Sequence, residues 1–110
     1  MAETFKRLAS RAVGTSRVRV GGYTVPAATK AIVIGMSVAN ILTDACTATL
    51  EHHDGTNYTL IAKGVSLAEG QSLAPVGEMN KLILETGDGL FVTSGTASGL
   101  DVVVSIVEIT

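Results

Sequence analysis

The chain has 110 residues, 46% of them apolar and 16% charged, with a net charge of −2 and one cysteine. That length fits a single domain, and a lone cysteine excludes an internal disulfide framework. With two Phe, two Tyr and no Trp, the core must be aliphatic, and so few charges leave uncharged surface that suits burial between subunits.

The charge is unevenly spread. Residues 1–19 carry Lys6, Arg7, Arg11, Arg17 and Arg19 against Glu3 alone, a surplus of four positive charges. The remainder sets three Lys against nine acids, a deficit of six. A basic segment on an acidic body suits docking on a complementary protein surface, and these five side chains are the candidate docking set. The acidic body repels phosphate, so nucleic acid is not an expected partner. The apolar run Ala31 to Leu42 is only twelve residues and is interrupted by Gly35, Ser37 and Asn40. It is too short for a bilayer, and no membrane partner is expected. The opening Met1-Ala-Glu-Thr4 is polar, with no apolar signal stretch after it, so synthesis in a cytoplasm is expected.

In chain order, residues 3–13 read either as a short helix or as a strand. Gly14-Thr15-Ser16 would stop a helix at a marginal length, which favours an extended N-terminal arm or edge strand within residues 1–15. Arg17-Val18-Arg19-Val20 alternates as a strand, Gly21-Gly22 turns or bulges it, and Tyr23-Thr24-Val25 resumes it. From Ala31 to Leu42, Ile32, Ile34, Met36, Val38 and Leu42 share one parity and are expected to face the core. Small residues, Ala31, Gly35, Ser37 and Ala39, take the other parity. The segments around Cys46–Leu50 and Tyr58–Ala62 flank Asp54-Gly55 and predict a hairpin. A three-residue loop, His53-Asp54-Gly55, would set Leu50 opposite Tyr58, Ala48 opposite Leu60 and Cys46 opposite Ala62, with Gly55 left-handed. Val65 to Val76 reads as two short strands about an Ala68-Glu69-Gly70 turn, stopped by Pro75 and Gly77.

The C-terminal third holds three apolar runs, Leu82–Leu84, Leu90–Val92 and Leu100–Ile109, separated by Gly-rich turns at 87–89 and 95–99. The last run is apolar on both parities. Leu100, Val102, Val104 and Ile106 can face a core, which leaves Val103, Val107 and Ile109 on the opposite face. These three are the candidate oligomer interface. Altogether the chain predicts an all-β fold: a single antiparallel β-sandwich of about eight strands spanning residues 1–110.

No motif for chemistry emerges. His52 and His53, as strand neighbours, point to opposite faces and cannot share a metal ion there. Asp54-Gly55 and Gly87-Asp88-Gly89 lack the alternating carboxylates of a calcium loop, and no phosphate loop or catalytic triad pattern is present. The expectation is a non-enzyme with no cofactor and no metal.

The order of several segments carries a resemblance that covers nearly the whole chain. They are Phe5-Lys-Arg7, Val13-Gly-Thr-Ser16, Tyr23-Thr-Val-Pro-Ala27, Ile34-Gly-Met-Ser-Val-Ala-Asn-Ile41, Asp54-Gly-Thr-Asn-Tyr58, Ala68-Glu-Gly-Gln-Ser-Leu73, Lys81-Leu-Ile-Leu-Glu-Thr-Gly-Asp88, Val92-Thr-Ser94 and Ser105-Ile-Val-Glu-Ile-Thr110. In this order they resemble small virion structural proteins of tailed bacteriophages. The resemblance implies a jelly-roll-like subunit of the phage particle. Its leading form is a capsid decoration (cement) protein, a homo-oligomer, expected as a trimer, that binds major-capsid subunits. The alternative is a neck, tail or baseplate component, including a fibre-attachment or carbohydrate-binding module. The scarcity of aromatic residues counts against a sugar platform.

Overall fold

The N-terminal segment, ambiguous in sequence, is a strand in the computed structural model, which describes residues 2–75 and 81–110. β1 (Glu3–Val13) leads to β2 (Val18–Arg19), β3 (Lys30–Asn40), β4 (Cys46–His53) and β5 (Tyr58–Leu67). There follow β6 (Ser72–Leu73), β7 (Leu82–Leu84), β8 (Gly89–Ser94) and β9 (Leu100–Ile109). All pairings are antiparallel. One sheet has the order β1-β9-β3-β6, with β7 also on β3; the other has the order β2-β8-β4-β5. The result is the expected all-β, jelly-roll-like sandwich, with nine strands among the described residues, two of them only two residues long. The expectation for Val76 and Gly77 lies outside the described residues.

The core is aliphatic because alternate residues of both sheets turn inward. β9 supplies Leu100, Val102, Val104 and Ile106, β3 supplies Ala31, Val33, Met36 and Val38, and β4 and β8 supply Ala48, Leu50, Leu90 and Val92. β1 is part of this body and not a free arm. It pairs with β9 from Glu3↔Ile109 to Ser10↔Val102, then again at Val13↔Leu100 after a bulge. Leu8 and Val13 are buried, whereas Phe5 points outward and is 74% exposed. The bulge explains why Phe5 and Val13, of equal parity, end on opposite faces.

A bulge in β3 and a longer loop between β4 and β5 correct the sequence reading. In β3, Val33 pairs with Ile106 but Gly35 pairs with Ser105, so Ile34 is the extra residue. Parity flips there: Val33, not Ile32 or Ile34, is buried, while Met36 and Val38 remain inward as expected. In the β4–β5 hairpin the pairs nearest the loop are His53↔Tyr58, His52↔Thr59 and Glu51↔Leu60. Leu50 then faces Ala62, and Ala48 faces Val65. The predicted Leu50–Tyr58 register is therefore wrong. A four-residue loop, 54–57, replaces the three-residue one because Asp54 closes it with its own side chain. Its Oδ1 accepts from Thr56 N (2.9 Å) and Asn57 N (2.7 Å), and Asp54 N donates to Asn57 O (3.1 Å). These two backbone donors, Asn57 first, hold the Asp54 carboxyl below the usual range. Gly55 does have the positive φ expected, 98°. A Cβ there would meet nothing within 4 Å, so Gly55→Val should cost only the conformational penalty, about 1–2 kcal/mol, read as a shift in denaturation midpoint.

Candidate functional site

The two sheets leave two outer faces, and each gathers side chains that are scattered in sequence. On the five-stranded sheet, the ladder registers align Phe5 with Val107, Val107 with Ile32, and Ile32 with Ile83. Four strands thus contribute one apolar side chain each to a continuous outward row, about 14 Å across at the usual strand spacing. Its ends are open: Phe5 is 74% and Ile83 60% exposed, while Ile32 and Val107 are half-buried between them. Along β9, Val103 is 45% exposed opposite Ala9 and Ser37, and Ile109 is half-buried between Glu3 and Lys30. The three predicted oligomer residues therefore share one outer face. Sequence reasoning missed Ile32 because it could not place the bulge at Ile34; Gly35 within a strand was the available signal. It missed Phe5 and Ile83 because their membership depends on cross-strand register.

The predicted docking residues do not form one patch. Lys6 lies on the inner parity of β1, and its Nζ is 3.1 Å from Glu108 Oε1. The same carboxylate accepts a 2.5 Å hydrogen bond from the Tyr23 hydroxyl. Burial, and then this bond to Glu108, push the Tyr23 phenol well above its ordinary range. The Tyr23 bond, with help from Lys6, outweighs the burial of Glu108 and holds its carboxyl below its ordinary value. Three segments are tied here: β1, the 23–29 loop and β9. Because the Glu108 pKa falls on folding, its ionised form contributes stability above the unfolded value of about 4.3. That contribution is lost as pH drops through the lowered folded value. Glu108→Gln should cost about 1–2 kcal/mol at pH 7, and the gap from the natural chain should close on acidification. Urea midpoints at pH 7 and pH 3 check this.

Arg17 and Arg19 sit on the other sheet. Arg17 makes a two-pronged pair with buried Glu51, Nε to Oε1 at 2.9 Å and Nη2 to Oε2 at 3.1 Å, which raises its pKa further. Its guanidinium also lies 3.7 Å over the Tyr58 ring, while that of Arg19 lies 4.6 Å over Phe91. Gly89 makes room for Arg19, since a Cβ there would collide with the guanidinium. His53, Tyr58 and Phe91 complete a ring cluster with centroids 4.3–5.2 Å apart. The rings tilt at 35°, 77° and 76° to one another, so they present edges and not a coplanar platform, and the two cations cover faces of Tyr58 and Phe91. This cluster fastens the short β2 to its sheet. Arg7 and Arg11 remain exposed on β1.

The polar groups that chemistry would need are dispersed. His52 Nε2 is 2.8 Å from Asp88 Oδ2, which also accepts from Glu85 N, so this pair braces the β7–β8 turn. His53 faces the rings instead. Cys46 is buried, with its Sγ 3.1 Å from Ser94 Oγ. Among the described residues no three His, Cys, Asp or Glu side chains converge to hold a metal ion.

The geometry defines a two-sheet, jelly-roll-like sandwich with an uncovered apolar face. Neither a protein-family model nor a curated protein matches the chain. Among solved structures, it is similar to a chain of the Bacillus endospore appendages, a family of disulfide-linked pili, with a TM-score of 0.57 at 12% identity. That alignment covers 97% of this chain and 84% of the other. A chain of infectious bursal disease virus, Gt strain, aligns with a TM-score of 0.47 at 9% identity, covering 97% of this chain but 32% of its own. One from the VP2 subviral particle of infectious bursal disease virus gives 0.40 at 12%, covering 94% and 37%. At these identities the endospore likeness is one of fold alone, and the viral ones add nothing to it.

Proposed function

We propose that this chain is a non-catalytic structural subunit of a virus particle, a capsid decoration protein of the kind that its ordered segments resemble. The observation that carries the reading is the apolar row Phe5–Val107–Ile32–Ile83, exposed across the five-stranded sheet. A monomer gains nothing from leaving such a row in water, whereas an assembly subunit covers it. The likeness to a chain from an assembled appendage agrees with a subunit role. In this reading the five-stranded sheet meets other copies, and the four-stranded sheet, with its Arg17–Tyr58–Phe91–Arg19 surface, meets the major-capsid protein. Tyr and Arg are the side chains favoured at such contacts. Quantitative mass spectrometry of purified particles tests it. Copies comparable in number to the major-capsid subunits are expected; a few copies per particle indicate a neck, tail or baseplate position, and none overturns the virion reading.

A further inference from the structure

We infer that the outer face of the five-stranded sheet packs against the same face of a second copy about a two-fold axis lying along the apolar row. The contact rests on the reading above, in which this sheet meets other copies, and specifies its geometry; copy number in particles tests the virion role, and association in solution tests this contact. The residues on either side of the row are not alike. On β1, Glu3 lies two residues before Phe5 and Arg7 two residues after it, all three on the outward parity. On β9, Ile109 and Ser105 flank Val107 in the same way, and on β3 Ile32 is flanked by Lys30 and, past the bulge at Ile34, by Gly35, the partner of Ser105. At the far end, Glu85 and Lys81 flank Ile83.

The registers sort these into two border rows. One holds Glu3, Ile109, Lys30 and Glu85, with Lys30 Nζ 3.5 Å from Glu85. The other holds Arg7, Ser105 and Gly35, with Lys81 one residue past the Val33–Leu82 pair. The strand ends of the row thus differ in charge: carboxylates at both corners of one border, cations at both corners of the other.

A two-fold axis along the row lays the row on itself and reverses every strand, so the two borders exchange places. Glu3 then faces the partner's Arg7, and Arg7 faces the partner's Glu3. Glu85 meets the cationic corner in the same sense, Ile109 meets Ser105, and Lys30 meets Gly35. No like charges are opposed. The centre is apolar and its rim is charge-complementary to itself, which is what an isologous contact requires. The occupant is therefore a second copy of this chain, in preference to an unrelated partner, because one surface supplies both halves of the match. The arrangement is pairwise, which differs from the trimer that the decoration resemblance implies.

Charge reversal tests it, since Glu3 and Arg7 are both exposed and their exchange leaves the core intact. The full chain and the variants Glu3→Arg, Arg7→Glu and Glu3→Arg/Arg7→Glu are compared by sedimentation equilibrium at low salt. The unchanged chain should be a dimer. Each single reversal should weaken the dimer about tenfold or more, by opposing like charges twice per contact. The double reversal should return the affinity to within about threefold, because the pairs re-form with signs exchanged. A monomeric or three-fold unchanged chain overturns the inference, as does a double reversal no tighter than the singles.

Discussion

A chain that begins at Gly14 is expected not to fold cooperatively. Deleting residues 1–13 removes β1 from the edge of its sheet and strips β9 of a full ladder of partners. It also removes Leu8 and Val13, both buried in the core, each worth about 1.5–3 kcal/mol when fully buried. The Lys6 contact to Glu108 goes with them. Against a total stability of about 5–15 kcal/mol for a small domain, these losses together are decisive. The truncated chain should lack a sigmoidal urea transition and show collapsed amide dispersion in its proton spectrum. A sharp transition in that chain would mean instead that β1 is a detachable arm and that the β2-to-β9 body is self-sufficient.

This outcome reverses what the basic charges alone suggest, and the reason is physical. The surplus of positive charge in residues 1–19 describes where cations lie along the chain, not where they lie in space. Strand alternation sends Lys6 inward to Glu108, and the path of β2 carries Arg17 and Arg19 to the opposite sheet. What was legible was local: the three C-terminal strands, their turns, and the division of β9 into a core face and an outer face. Val102, Val104 and Ile106 are indeed buried, while Val103 is exposed. What was not legible depended on single inserted residues. A bulge at Ile34 turned Ile32 outward, and the side-chain closure by Asp54 lengthened the hairpin loop and changed every pair in it. Neither the apolar row nor the ring cluster exists in any one stretch of sequence. Each appears only when register places Phe5 beside Val107, or His53 beside Tyr58.

The central claim is that the apolar outer face is an assembly surface, and Phe5→Lys/Ile83→Lys bears on it most directly. Both side chains lie at the open ends of the row and are mostly exposed in the single chain. Neither belongs to the core, so the double variant should keep its fold and its urea midpoint within about 0.5 kcal/mol of the unchanged chain. In an assembly the same two positions would be desolvated. Two ammonium groups placed there cannot be buried without partners, so association should fall by several orders of magnitude. Sedimentation velocity of the unchanged and doubly substituted chains at matched concentrations provides the reading. The account predicts an oligomer for the first and a folded monomer for the second; identical oligomers for both, or a monomer for both, would contradict it.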